Sequence, residues 1–370
     1  MTASRPMSVA FRVDASLDIG TGHVMRCLTL ADALAASGAE CRFICREHTG
    51  HLIEHISSKS YEVDVLPRCH DTANANSIDG PAHAHWLGCP WETDADQTRL
   101  VLAGDRVDWL VVDHYALDAR WEQALHGVYK KLMVIDDLAD RAHASDLLLD
   151  QNLGRKPDDY ESLVPAYCQR LIGPQYALLR PEFAALREYS LQRRRTPGLK
   201  RLLITMGGVD QPNATGKVLE ALKACPLPTD CQITVVMGAR APWLEQVRSL
   251  AATMPWTTTV RVNIGNMAQV MADSDLAIGA AGSTSWERCC LGLPTLLVIL
   301  AENQEEGAVA LQRSDAARLL GKPDAIAHEL KSIFPMLLEE RSFTKMIDTT
   351  SKITDGLGAS RVLEQMWKRA

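Results

Sequence analysis

The stretch Ile19-Gly20-Thr21-Gly22-His23 sets a histidine directly behind two glycines. It follows a short apolar run, Val9–Val13, and opens a segment with helical periodicity. Glycines at such a turn let the backbone fold tightly and approach a ligand. The helix that follows points unpaired N–H groups back at the turn, which favours an anion. A neutral imidazole there is a competent general base for water. Asp14, at the end of the run, is the candidate to hold the other ring nitrogen. The plainer alternative is a histidine that merely packs in a tight turn.

Two further segments have the composition of anion sites. Thr205-Met206-Gly207-Gly208-Val209-Asp210, with Asn213 opening the next helix, is a glycine turn between strand and helix. Gly279-Ala280-Ala281-Gly282-Ser283-Thr284-Ser285-Trp286-Glu287 places Gly282 and Ser283 at a helix start and Glu287 one turn in. Ser283 and Glu287 share a helix face at that spacing. Glu287 suits a ribose diol; the competing reading is an N-cap serine and a surface charge. Asn303 and Gln304 follow the next strand, and their amides can complete the pocket.

The elements that position these groups alternate strand and helix. Val9–Asp14, Cys41–Cys45, Val63–Leu66, Trp109–Asp113 and Leu132–Ile135 read as strands, most of them near-continuous apolar runs of the kind covered on both faces. After residue 200 the rhythm restarts, with strands Leu202–Thr205, Gln232–Met237, Leu276–Gly279 and Thr295–Leu300 and helices Asn213–Ala224, Pro242–Ala252 and Ser283–Leu291. The fold class is therefore α/β, with two doubly wound Rossmann-like domains facing across a cleft and the ligand at the carboxyl ends of both sheets. Residues 1–190 form the first domain. Residues 191–199, rich in arginine with Pro197 and Gly198, read as a linker. Residues 200–345 form the second domain, and 346–370 a helix that can cross back to the first. Residues 68–92 lack a clear period and read either as a loop near the ligand or as an irregular insertion.

With 370 residues, 46% of them hydrophobic, the chain has ample material for two cores. A formal charge of −7 does not suit a nucleic acid or an anionic membrane surface. Met1–Pro6 is not followed by an apolar signal segment, and the longest apolar stretch, Leu291–Ala301, is too short to span a bilayer. The ten cysteines form no C-x-x-C and read as reduced thiols, so a cytoplasmic location is expected. His51-Leu52-Ile53-Glu54-His55 matches the H-x-x-E-H zinc signature, but no third ligand announces itself, and no metal or other cofactor is expected.

Taken together, the motifs are specific. Arg12-x-Asp14-x-Ser16-x-x-Ile19-Gly20-x-Gly22-His23-x-x-Arg26, Asp113-His114-Tyr115, Ile135-Asp136-Asp137, Asp150-Gln151-Asn152, Gly207-Gly208-x-Asp210, Gly279–Pro294 and Ala301-Glu302-Asn303-Gln304 together resemble the nucleotide-sugar hydrolases of pseudaminic acid biosynthesis. Those enzymes act on UDP-2,4-diacetamido-2,4,6-trideoxy-β-L-altropyranose and are related in fold to the lipid-linked peptidoglycan glycosyltransferases. The resemblance implies a GT-B fold, with UDP held mainly by the second domain. It implies His23 as catalytic base and Ser283, Glu287 and Asn303 as UDP contacts. Tyr115 would lie on the sugar side, and Gly20, Gly22, Arg26, Gly207, Gly208, Gly282 and Gln304 would belong to the substrate site. Water and a UDP-sugar are the partners implied, with no obligate protein partner. The catalytic motif does not separate hydrolysis from transfer to a hydroxyl acceptor, and a catalytically silent sugar-nucleotide binder is the remaining alternative.

Overall fold

The computed structural model describes residues 5–69, 80–104, 106–196, 198–337 and 340–369. The chain divides into two compact units, Met1–Leu178 with Gly358–Ala370, and Leu179–Leu357.

The first unit is built on seven strands: β1 (Ser8–Val13), β2 (Glu40–Arg46), β3 (Glu62–Leu66), β4 (Val107–Asp113), β5 (Tyr129–Ile135), β6 (Leu147–Asp150) and β7 (Gln169–Ile172). They form one parallel sheet in the order β3-β2-β1-β4-β5-β6-β7. Alternation of side chains across a strand divides the core into two layers. Val9, Phe11 and Val13 pack with Val24, Leu28 and Ala31 of the helix Gly22–Ala36. Ala10 faces the opposite layer, with Leu110, Val112 and Trp121. Burial on both faces is why most of these strands read as near-continuous apolar runs.

The final helix, Gly358–Trp367, belongs to this unit. Val362 and Met366 join the layer behind β1, and Gln365 accepts a 3.0 Å hydrogen bond from Gln169. Gly358 lies so close to the Ala177 carbonyl that no β-carbon fits between them.

The second unit carries six strands: β8 (Arg201–Thr205), β9 (Gln232–Met237), β10 (Thr258–Val262), β11 (Leu276–Ala280), β12 (Thr295–Val298) and β13 (Arg318–Gly321). They form a parallel sheet in the order β10-β9-β8-β11-β12-β13.

The basic run at 193–195 is not a linker. The unit boundary falls at Leu178/Leu179, and the helix Pro181–Arg193 packs within the second unit. Arg187 donates to the carbonyls of Cys290 and Ser351, and Ser190 donates to that of Leu291. Arg194 is buried and donates to the carbonyls of Met271 and Ser274 at 2.9 and 2.6 Å. These acceptors close the C-terminal end of the helix Met267–Asp273, where free carbonyls attract a cation. Pro197 and residues 70–79 of the irregular segment lie outside the described residues.

In each sheet the strand order reverses beside the first strand of its unit. The two switch points lie between β1 and β4 and between β8 and β11. In doubly wound sheets, ligands bind outside the carboxyl ends of the strands at such a point. His23 follows β1 and Asp113 ends β4. Gly207-Gly208 follows β8, and Ser283 follows β11.

Candidate active site

Gly20 takes φ +79°, a left-handed conformation open to glycine at little cost, and its N–H donates to the Ser16 carbonyl at 2.9 Å. The turn delivers the chain into the helix Gly22–Ala36, whose N-cap Thr21 makes no side-chain cap bond. His23 is buried in the first turn of that helix. Its Nδ1 lies 2.6 Å from Oδ1 of Asp113.

Burial alone would push the Asp113 carboxyl up, but Arg26 and His23 beside it hold it well below the usual carboxylate range. An ionised Asp113 accepts only, so Nδ1 of His23 carries the proton and donates it to Asp113. Nε2 is then the free, basic nitrogen. This histidine–carboxylate pair orients an imidazole for proton abstraction.

The orienting carboxylate is therefore Asp113, not Asp14. Asp14 Oδ1 accepts from the Arg46 backbone N–H at 2.6 Å and pairs with Arg12 at 2.7 Å. Its Oδ2 lies 3.3 and 3.4 Å from Nε2 of His114 and His48. Asp14 thus sits among Arg12, Arg46, His48 and His114, whereas the carboxylate against His23 is that of Asp113. Arg12 and Arg46 also share the buried Asp94.

Arg26 is likewise committed inside the protein. Its Nε and Nη2 donate to Asp113 at 2.6 and 2.7 Å, and Nη1 donates to Asp137 at 2.5 Å. The guanidinium fork is thus closed on two carboxylates, and Arg26 holds Asp113 in place. Tyr115 is buried and donates its hydroxyl to Asp137 at 2.7 Å. Its ring meets His23 edge-on, with centroids 4.6 Å apart. Asp137 thus joins Arg26 and Tyr115, a role that reading the residues one by one misses. The signal was the position of Asp113 and Asp137 at or just beyond the carboxyl ends of β4 and β5.

In the second unit, the helix that follows the glycine turn after β8 is capped from within. Asp210, at φ +49°, accepts from the N–H groups of Ala214 and Thr215 at 2.8 and 2.9 Å. Asn213 accepts from Gly216 at 3.1 Å. The protein's own side chains therefore occupy the start of the helix Ala214–Leu222. Gly207 takes φ +84°, and the Gly208 carbonyl presses on Gly238, where no β-carbon fits.

The turn after β11 is different. Ser283 is the N-cap of the helix Thr284–Cys290, but its hydroxyl caps nothing and it is exposed. Glu287 is not a surface charge, since its side chain is 16% exposed, 3.8 Å from Arg180. Burial pushes its carboxyl up to about 7, against the pull of Arg180 and Arg288. Gln304 braces the neighbouring loop, accepting from the Leu300 N–H at 3.0 Å, and a β-carbon on Gly282 would touch its Nε2. Asn303 is exposed beside it. Gly282, Ser283 and Glu287 thus follow β11, and Asn303 and Gln304 follow the adjacent β12, with Gln304 against Gly282.

His51 does not share a helix with His55. The helix begins at Ile53, and His51 Nδ1 accepts from the Ile53 N–H at 3.3 Å. Among the described residues, no group of three or more His, Cys, Asp or Glu is arranged to hold a metal ion. Nor is any helix among them long and apolar enough to cross a membrane.

Comparison with known proteins agrees with this architecture. Residues 201–357 match the glycosyltransferase family 28 C-terminal domain. The chain is 27% identical over 312 residues to a UDP-2,4-diacetamido-2,4,6-trideoxy-beta-L-altropyranose hydrolase of Campylobacter jejuni, covering 83% of this chain and 97% of that one. It is 25% identical over 308 residues to an uncharacterized protein of Methanocaldococcus jannaschii, covering 81% of this chain. The match spans only 57% of that longer relative. Among solved structures, Acinetobacter baumannii MurG superposes with a TM-score of 0.72 at 14% identity, covering 98% of this chain and 100% of that one. The fold is that of the GT-B proteins, with two Rossmann-like parallel sheets.

Proposed function

We propose that the protein hydrolyses a UDP-linked 2,4-diacetamido-2,4,6-trideoxy sugar to the free sugar and UDP. The observation that carries this reading is the pairing of His23 with the ionised Asp113, which frees Nε2 as a base. The relative from Campylobacter jejuni supports it, because the match runs over nearly that protein's whole length. Water attacks the anomeric carbon from the face opposite UDP and gives its proton to Nε2 of His23. The bond from that carbon to the diphosphate oxygen breaks as the new one forms, and the electron pair leaves with UDP. One displacement inverts the anomeric centre.

UDP is assigned to the second unit. The two carboxylate oxygens of Glu287 suit the two hydroxyls of a ribose, and Ser283 and the Gly282 turn suit the diphosphate. Asn303 completes the contacts, with Gln304 bracing its loop. The anionic leaving group needs no proton, so a single base suffices for the reaction.

The test is UDP release from a panel of UDP-sugars with no acceptor present, the sugar anomer being followed by NMR. Release from the diacetamido sugar with inversion supports the reading. Release that waits for an added hydroxyl acceptor identifies a transferase. Loss of the base should slow release by about 10²–10⁴-fold, so His23→Ala or His23→Asn activity near that of the wild type overturns the mechanism.

A further inference from the structure

The short helical turn Ala84–Leu87, within a segment of unclear period, lies against the ring of Tyr115. Trp86 stacks on Tyr115 with centroids 5.7 Å apart and planes inclined by 24°. His83 closes a triangle, 4.4 Å from the Trp86 ring and 5.5 Å from that of Tyr115. Tyr115 itself meets His23 edge-on, so this triangle adjoins the base.

Trp86 and His83 are both half-buried. Among the described residues, neither the indole N–H nor either imidazole nitrogen has a hydrogen-bond partner in the chain. Tyr115, by contrast, has committed its hydroxyl to Asp137. Two aromatic rings with free polar atoms, one contact removed from the base, need a ligand or water to satisfy them.

The chemistry of the wall narrows the ligand. Burial, helped by His85, Arg141 and His23, holds the His83 imidazole below its ordinary range despite Asp140 nearby. A neutral imidazole offers one donor and one acceptor, and indole adds a second donor. Arg141, which sits 5.7 Å from the Tyr115 ring, is tied to Asp136 and Asp140. The wall thus offers apolar faces, two donors and an acceptor, with no free cation. A phosphate or carboxylate is a poor match. An N-acyl group is a good one: its methyl packs on a ring, its carbonyl accepts, and its N–H donates.

We propose that His83 and Trp86 form the sugar-recognition wall beside His23, reading an N-acyl group on the substrate's sugar. This rests on the hydrolase reading given above. Trp86→Phe keeps the ring and removes the N–H, while His83→Gln keeps a donor and an acceptor on a different frame.

The experiment measures KM and kcat for the UDP-diacetamido sugar and the inhibition constant of UDP, for wild type and both variants. One lost hydrogen bond of ordinary strength should raise KM about fivefold in Trp86→Phe. A rise of similar size is expected in His83→Gln, with UDP inhibition within about twofold of wild type. A merely structural role would move UDP inhibition as much as KM, and that result overturns the proposal. So does an unchanged KM in both variants. A wild-type protein that releases no UDP from any diacetamido sugar overturns the hydrolase reading and this one with it.

Discussion

His23 and Asp113 are 90 residues apart in sequence, yet Nδ1 of one lies 2.6 Å from Oδ1 of the other. The contact exists because β1 and β4 are neighbours at the switch point, with Val13 in register with Asp113. Asp113 also receives two donors from Arg26, so it cannot swing away without unpairing a buried guanidinium.

Asp113→Asn should therefore impair catalysis far more than binding. An amide in place of the carboxylate no longer selects the tautomer with Nε2 free, and a loss in kcat approaching 10⁴-fold is the expected scale. UDP inhibition should stay near wild type. Steady-state UDP release on the two proteins decides it, and a kcat within tenfold of wild type would remove Asp113 from the mechanism.

Asp14 gives the contrasting case. Burial opposes its ionisation, but Arg12, His114 and His48 hold its carboxyl well below the usual range. A group with a depressed folded pKa stabilises the protein above the unfolded value, near 3.9, and that stability is lost as pH falls toward the folded value. Asp94 and Asp136, also lowered, contribute with the same sign. Asp14→Asn should lower the melting temperature at pH 7 and flatten its fall below about pH 4. The folded fraction should keep a kcat within tenfold of wild type. A collapse of kcat with full thermal stability would restore Asp14 as the orienting group.

Much of the architecture was legible in the sequence, for a physical reason. Strands covered on both faces, such as Val9–Val13 and Leu276–Ala280, are largely apolar and announce themselves. β6, β7 and β13 span only four residues each, and β10 is an edge strand that alternates half-buried and exposed side chains. Short or edge strands carry little pattern, and these four escaped notice. The position of His23 on a glycine turn was equally readable. Its partner was not, because Asp14 is nearer along the chain and only the strand order shows that β4 lies beside β1. The run at 193–195 misled for a similar reason: arginines that bind helix-end carbonyls look like a solvated linker until those carbonyls are located.

Glu287 carries a proton-linked prediction. Burial raises its carboxyl to about 7, so near neutrality it is partly protonated, whereas a ribose diol binds best to the carboxylate. Ligand binding should then release protons, and affinity should rise with pH through about 7 and level off above it. A UDP-hexose is the suitable probe, because its diphosphate diester does not titrate in that range. Calorimetry in buffers of different ionisation enthalpy reads the proton count directly. Glu287→Gln should abolish the pH dependence and weaken binding about tenfold, the loss of one to two hydrogen bonds. Proton release that persists in Glu287→Gln would place the titrating group elsewhere. Stability has the opposite sign: a raised folded value means Glu287 disfavours the folded state increasingly as pH climbs from about 4 to 7.

Two glycines beside the β8 turn should respond differently to alanine. At Gly207 a β-carbon meets nothing within 4 Å, and the penalty is the left-handed conformation at φ +84°, about 1–2 kcal/mol. At Gly238 the conformation is ordinary, but the β-carbon would drive into the Gly208 carbonyl, which is backbone and cannot rotate away. Gly238→Ala must therefore displace the whole Gly207-Gly208 turn and should destabilise by about 1–3 kcal/mol or more, as overpacking does in a well-filled interior. Urea melts rank the two. Because the displaced turn lies at the switch point of the second sheet, Gly238→Ala should also weaken UDP inhibition, while Gly207→Ala leaves it closer to wild type. Equal UDP inhibition in Gly238→Ala and wild type would show that the β8 turn takes no part in holding the nucleotide.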